Sequence, residues 1–232
     1  MNTLAVLITG AGRGIGRAAA IELASLGYEP LLVSRTESEL RETAQLAGRG
    51  QIFTADISKP DEAQSLVEHA FASASRLDAI VHCAGLAPME SIEAMTPAQW
   101  QAVIDTNLSS AFYLCHAAWP IFKSQKNGVV VNISSESSRD PFDGFAAYGA
   151  AKAGLNLFGR VAAREGLPHG IRVHTIAPGA VETRMLRELL TTEQYPAEQA
   201  ISPADVAKVI AACVTGTLQY ASGEVIFLHR TF

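Results

Sequence analysis

Apolar residues in this chain fall in short unbroken runs separated by longer amphipathic stretches. Leu4 to Ile8 is apolar without alternation and breaks at Thr9 and Gly10, the pattern of a strand buried on both faces of a parallel sheet. From Gly14 to Leu26 the alanines with Ile15, Ile21, Leu23 and Leu26 predict a helix, and Gly27 stands where a C-terminal cap glycine belongs. The pattern repeats through apolar Leu31 to Val33, helical Glu37 to Leu46, Gln51 to Thr54, helical Asp61 to Ala74 behind Pro60, and "AIVHCAG". A long helical region from Pro97 to Phe122 follows. Then come a strand from Gly128 to Ser134, a helix from about Tyr148 to Arg164, the strand "IRVHTIA", a helix from Pro203 to Val214 and a strand from Glu224 to Leu228. Thr183 to Ile201 is polar, helix-prone and interrupted by Tyr195 and Pro196, which predicts a mobile lid.

Strands alternating with helices require crossover connections, so the expected fold is α/β: a single-domain, Rossmann-type, doubly wound parallel sheet of about seven strands, helices on both faces, over residues 1–232. A net charge of −5 offers no basic footprint for nucleic acid or an anionic membrane, so neither is an expected partner. Cys83, Cys115 and Cys213 lie far apart without a CxxC pair, which points to a reducing compartment. The opening "MNTLAVLITG" is too short in its apolar run for a signal or a span, and a cytoplasmic protein is expected.

In "LITGAGRGIGRAAA" a buried strand ends in four glycines and runs at once into a helix. Backbone N–H groups and the helix N-terminus then converge where an anion is favoured. Gly10, Gly12, Gly14 and Gly16 fit GxGxxG in no register; they fit TGxxxGxG, with Thr9 leading. Such a turn also occurs without any ligand, but its place between the first strand and a helix favours a pyrophosphate. At the end of the second strand, where a carboxylate would accept from ribose hydroxyls, stand Ser34 and Arg35. With Arg13 in the turn, two guanidiniums can converge on a 2′-phosphate, which favours NADP(H). Glu37 is the rival, as a ribose ligand favouring NAD.

The stretch "NISSESSRDPFDGFAAYGAAKAG" places Tyr148 and Lys152 four apart, on one helix face. A free phenol, with a pKa near about 10, shuttles protons poorly at neutrality, and an adjacent ammonium is expected to lower that value. Such a pair is often only a snorkelling surface pair. Ser135 stands thirteen positions before Tyr148, just past a strand, where a hydroxyl can donate to a carbonyl oxygen gaining charge.

The TGxxxGIG turn, the serine and the YxxxK pair together resemble the short-chain dehydrogenase/reductase family, in its NADPH-preferring type. The resemblance runs from Thr9 to the final strand. It implies a catalytic set of Asn107, Ser135, Tyr148 and Lys152, with Asn107 of "DTNLSSAF" holding a water on the lysine for proton relay. It implies cofactor contacts from Gly10, Arg13, Gly14, Ile15, Gly16, Ser34, Arg35, Asp56 (toward the adenine amino group), Ile57, Ala84 and Gly85. Tyr148 and Lys152, and then Pro178, Gly179, Val181 and Thr183 of "APGAVET", continue the set to the nicotinamide end. No metal is expected.

Two departures stand out. Where family members commonly carry two asparagines before Ala-Gly, this chain has His82 and Cys83, a pair best read as structural because neighbouring strand residues face opposite ways. The usual C-terminal Asp-Gly-Gly is replaced by "IFLHRTF". Pro141, Phe142, Phe145, Met185 and Leu186 are the candidate pocket residues and imply a ketone or aldehyde with an apolar body. The expected activity is NADPH-dependent reduction of a carbonyl to an alcohol. Reduction of a 3-oxoacyl carrier-protein thioester is an alternative, although an acidic carrier wants a basic rim and only Lys123 and Lys126 supply one. A non-catalytic dinucleotide-binding regulatory module is a third reading. Family resemblance of the long helices implies a homodimer or homotetramer.

Overall fold

The computed structural model describes residues 3–230. One sheet carries seven parallel strands: β1 Ala5–Thr9, β2 Glu29–Ser34, β3 Gln51–Thr54, β4 Ala79–His82, β5 Gly128–Ile133, β6 Ile171–Pro178 and β7 Val225–Leu228. Their spatial order is β3-β2-β1-β4-β5-β6-β7, so the order of strand addition reverses between β1 and β4, which pair in parallel. In open α/β sheets a ligand crevice forms outside the C-terminal strand ends at such a reversal.

Helices α1 Gly14–Ser25, α2 Glu37–Ala47, α3 Pro60–Ala74, α4 Pro97–Ile104, α5 Ser110–Gln125, α6 Ala146–Gly166, α7 Arg184–Leu189 and α8 Pro203–Thr215 complete the chain. Because strand side chains alternate, each central strand feeds two cores. Val6, Ile8, Leu32, Val81 and Val131 pack with Leu23 of α1 and Val206 and Ile210 of α8. Leu7, Leu31, Val33, Ile80 and Val130 pack with Leu66 of α3 and with Leu114 and Phe122 of α5. Each such side chain contributes roughly 2 kcal/mol on burial.

The helical region expected from Pro97 to Phe122 is interrupted. Asp105–Ser109 forms a single π-turn between α4 and α5, and it carries Asn107. The last helix closes on Gly216, in the left-handed region at φ 91°. The expected lid is α7 followed by an irregular stretch and a short 3₁₀ turn, Ala197–Gln199.

At the N-terminal edge, Asp78 is buried, and its Oδ2 accepts from the Ala5 N–H at 2.8 Å and from Arg76 Nε at 2.7 Å. Replacing it with Ala orphans a buried strand donor and strips Arg76 of its partner. Asp78→Ala is expected to lower stability by about 3 kcal/mol, read as a lower urea midpoint at unchanged slope. A midpoint equal to wild type would contradict this.

Candidate active site

The turn after β1 is shaped by backbone approaches that exclude a side chain. A Cβ on Gly10, where φ is 63°, would lie 2.9 Å from the Ala84 nitrogen, and one on Gly16 would lie 2.3 Å from the Gly10 oxygen. Thr9 closes the arrangement by accepting the Ala84 N–H at 3.2 Å. Two residues overlooked in the sequence brace the turn from behind. Arg17 Nε donates to Gly12 O at 3.0 Å, and Thr43 Oγ1 donates to Ala11 O at 2.9 Å.

This turn opens on a cavity of about 840 Å³ that runs to the C-terminal end of β5. At one end it is lined by Arg13, Ser34, Arg35, Asp56 and Ile57, along its floor by Gly10, Gly14, Ile15, Gly16, Ala84 and Gly85, and at the other end by Ser135, Tyr148 and Lys152. Pro178, Gly179, Val181 and Thr183 line it as well. The cradle fits an extended dinucleotide: a glycine turn no Cβ would enter, at a helix N-terminus, in mid-cavity. Ser34 Oγ accepts the Thr36 N–H at 3.2 Å, which turns the chain away and leaves Arg35 on the rim. Asp56 Oδ1 accepts from Ser58 Oγ at 2.7 Å, and this bond, together with the charge of Arg35, holds its carboxyl below the usual range. The rival Glu37 is not at the cavity; it pairs with Arg41 one turn along α2. The carboxylate that does line the cavity is Glu39, ion-paired to Arg184 of α7 at 3.1 Å.

At the reaction end the four serines sort by their bonds. Ser134 is buried, its N–H donating to Ile176 O at 2.7 Å and its Oγ to Lys152 O at 3.2 Å. Ser138 Oγ accepts from Asn156 Nδ2 at 2.9 Å. Ser135 Oγ accepts the Ser137 N–H at 3.1 Å, and its hydroxyl, which lines the cavity, lies beside the Tyr148 phenol. Lys152 is buried, donates from Nζ to Ile133 O at 2.7 Å, and lies 5.5 Å from the Tyr148 ring centroid. Burial pulls its pKa down to about 8. The expectation that this ammonium depresses the Tyr148 phenol is not met: burial pushes Tyr148 above its ordinary value, and the Ser135 hydroxyl offsets that in part. Desolvation outweighs the neighbouring cation, whose own charge burial weakens.

Asn107 Nδ2 donates to Leu86 O and Val103 O, each at 2.8 Å, and Oδ1 accepts the Leu86 N–H at 3.3 Å. Its side chain thus pins the loop after β4. A Cβ on Gly85 would sit 3.0 Å from that Oδ1 and 3.9 Å from Lys152 Nζ, so both atoms flank one small space. His82 is structural: Nε2 pairs with Ser110 Oγ at 2.7 Å, and burial drops its pKa to about 3. Cys83 lines the cavity, and burial raises its thiol to about 12. Of the expected pocket residues, Phe142, Phe145, Met185 and Leu186 line the cavity. Pro141 does not. It lies behind the wall against α6, where a Cβ on Gly149 would come 3.3 Å from it. Ala87, Met89, Leu189, Leu190 and Tyr195 line the cavity too; the first two lie on the loop after β4 and the others at the end of α7 and beyond it, and none was expected in the pocket.

The family profile for short chain dehydrogenase matches residues 4–194. The chain belongs to the short-chain dehydrogenase family. It is 31% identical over 230 residues to 3-oxoacyl-[acyl-carrier-protein] reductase FabG of Escherichia coli K12, covering 96% of this chain and 94% of that one. It is 32% identical to the short-chain reductase protein NovJ of Streptomyces niveus, covering 97% and 86%, and 30% identical to acetoacetyl-CoA reductase of Shinella zoogloeoides, covering 96% and 98%. A Sinorhizobium meliloti 1021 crystal structure assigned as a short-chain alcohol dehydrogenase superposes with a TM-score of 0.92 at 28% identity, covering 98% of this chain and 95% of the other. As a short-chain dehydrogenase the protein is an oxidoreductase, and the family works with nicotinamide dinucleotides. Among the described residues no helix is long and apolar enough to cross a membrane.

The buried lysine of this dehydrogenase gives a stability signature. With a folded pKa of about 8 against an ordinary 10.5, Lys152 binds its proton less readily folded than unfolded. Between those values the unfolded chain holds the extra proton, so the lysine's contribution to stability rises with pH and is smallest below pH 8. Relative to Lys152→Met, wild type is expected to gain on the order of 3 kcal/mol across that window in denaturant titrations. Parallel pH profiles for the two proteins would contradict it.

Proposed function

We propose that the protein is an NADPH-dependent reductase of a 3-oxo carbonyl compound with an apolar body, giving the corresponding alcohol. The observation that carries this reading is a single cavity joining two chemistries. Arg13 and Arg35 stand with the glycine turn at one end, and Ser135, Tyr148 and Lys152 stand among apolar side chains at the other. The named activities of the Escherichia coli and Shinella zoogloeoides relatives favour a 3-oxo substrate.

When bound, the reduced nicotinamide supplies the hydride that adds to the carbonyl carbon. The chain's residues manage the oxygen and its proton. Ser135, beside the Tyr148 phenol, can turn its hydroxyl hydrogen to that oxygen as negative charge grows on it. Tyr148, kept protonated by burial, gives its hydroxyl proton to the same oxygen. Lys152, with a pKa of about 8, exchanges protons readily near neutrality and is suited to reprotonate the phenol. Asn107 Oδ1, across the small space from Lys152 Nζ, is placed to hold a relay water. Thr183, whose Oγ1 caps α7 by accepting the Leu186 N–H, ties the carboxamide end of the cavity to the lid.

The relatives' names also support a second reading, a thioester delivered on an acyl carrier protein. Against a strongly acidic carrier, the substrate end of the cavity presents Glu136, Asp140 and Asp143, with Asp140 and Asp143 exposed. Like charges there oppose docking, which favours a free small molecule. The exposed Phe112 of α5, with Leu157 and Val161 of α6, supports a homodimer or homotetramer formed through these helices.

Two measurements test this function. Steady-state kinetics with acetoacetyl thioesters and simple 3-oxo esters should give a lower KM for NADPH than for NADH, and Tyr148→Phe should cut turnover about a hundredfold or more with NADPH still bound. A lower KM for NADH sinks the cofactor assignment, and full turnover by Tyr148→Phe sinks the mechanism. Light scattering is expected to give a mass of two or four chains; a monomer would remove the assembly from the proposal.

A further inference from the structure

The segment that follows Thr183 is knitted to itself. Arg187 forms a two-pronged pair with Glu182 and donates from Nη1 to Tyr195 O at 2.8 Å. Both ends are clasped: Glu182 N–H donates to Ile201 O at 2.9 Å and Ile201 N–H to Ala180 O at 2.8 Å. A loop closed at its root and braced within moves as a unit. It reaches the far wall of the cavity through Arg184, whose Nη2 meets Glu39 Oε1 at 3.1 Å, the two residues lying 145 positions apart in sequence.

Glu39 stands at the phosphate end. A Cβ on Gly12 would lie 2.9 Å from Glu39 Cβ and 3.3 Å from Ser34 Oγ, so carboxylate, hydroxyl and glycine turn converge. The lid's root is also on the turn, because a Cβ on Gly14 would lie 3.2 Å from Thr183 Cγ2. The Arg184 guanidinium therefore reaches across the opening beside the glycine turn that the dinucleotide reading assigns to phosphate. Both members of the pair line the cavity, and the arginine side chain is more than half exposed. An ion pair this open is weak and readily exchanged. Phosphate oxygens offer a guanidinium a two-pronged geometry with more charge than this single contact to Glu39.

We propose that Arg184 is a cofactor-binding residue: a guanidinium carried on the lid, parked on Glu39, which transfers to a phosphate oxygen of the dinucleotide and draws the lid over the cavity as it does so. Glu39 is then the counterweight, holding the arginine in place when no phosphate is present and opposing a 2′-phosphate when the arginine is removed. The proposal rests on the dinucleotide reading above and adds to it a residue outside the turn, the second strand end and the catalytic set.

The test is equilibrium binding of NADPH and of NADH, followed by nucleotide fluorescence, with release rates from stopped-flow displacement. Thermal unfolding of each variant verifies that it is folded. Arg184→Ala should weaken NADPH about tenfold or more and speed its release, and Arg184→Lys should restore part of the loss. Glu39→Gln should tighten NADPH several-fold by removing the competitor. Equal losses for both nucleotides place the contact on the pyrophosphate, and a loss confined to NADPH places it on the 2′-phosphate; either supports the proposal. A folded Arg184→Ala protein that binds and releases both nucleotides as wild type does overturns it while leaving the dinucleotide reading intact. A wild type that binds neither nucleotide overturns both.

Discussion

The site depends on how closely one helix can approach one strand end. α1 begins directly above the end of β1, and the Gly16 backbone lies so near Gly10 O that a methyl group at Gly16 would stand 2.3 Å from it. Moving α1 out by a side chain's width would part the helix N-terminus from the turn it serves, and Ala84 from Thr9. It would also disturb the packing of α1 on α8, because Leu23, Val206 and Ile210 belong to one buried cluster with Val6 and Ile8. The anion-binding geometry and the tightness of one core are thus the same constraint. Arg17 and Thr43 hold the turn's carbonyls from the side the ligand does not use, so that its N–H groups are left facing the cavity.

A second constraint acts at the other end of the cavity. Lys152 is a buried cation whose ammonium is bonded to a main-chain carbonyl, and among the described residues no carboxylate pairs with it. That environment weakens its charge and sets its pKa near the range where it can exchange protons. Ser134 and Asn156 lock the loop after β5 onto α6, through Lys152 O and Ser138 Oγ respectively. Ser135 is therefore presented from a fixed backbone, while its neighbours are occupied by bonds to α6 and β6.

Much of this was legible in the sequence because buried parallel strands read as apolar runs, as β1, β2, β4, β5 and β7 do, while β3 (QIFT) and β6 (IRVHTIAP) were placed by the alternation of strands with helices. The glycine turn and the Tyr148–Lys152 spacing were legible for a related reason, since each is a local pattern. What escaped was set by tertiary packing. Glu37 and Glu39 are two residues apart on α2, which turns them through about 200° and sends one to solvent and the other to the cavity; a one-dimensional reading cannot rank them. The π-turn at Asn107 is formed by bonds to Leu86 across the loop after β4, which no propensity encodes. The direction of the Tyr148 shift was misjudged because a pairwise charge argument omitted desolvation, here the larger effect.

The unusual C-terminus gains a physical sense in the same way. Beyond β7, His229 Nε2 lies 2.9 Å from Arg139 Nη2, and the Arg139 guanidinium stacks 3.8 Å above the Phe227 ring. Arg139 also donates from Nε to Glu136 Oε1 at 2.7 Å. Glu136 is next to Ser135 and lines the cavity, so Phe227 and His229 brace, through Arg139, the strand-to-helix loop that presents the serine hydroxyl. Asp140 and Asp143 stand exposed on the same rim of the cavity. Holding that arginine on Phe227 and Glu136 keeps the rim negative. On the proposed function, the contacts that stiffen the loop carrying Ser135 also leave an acidic mouth, which opposes an anionic substrate or carrier.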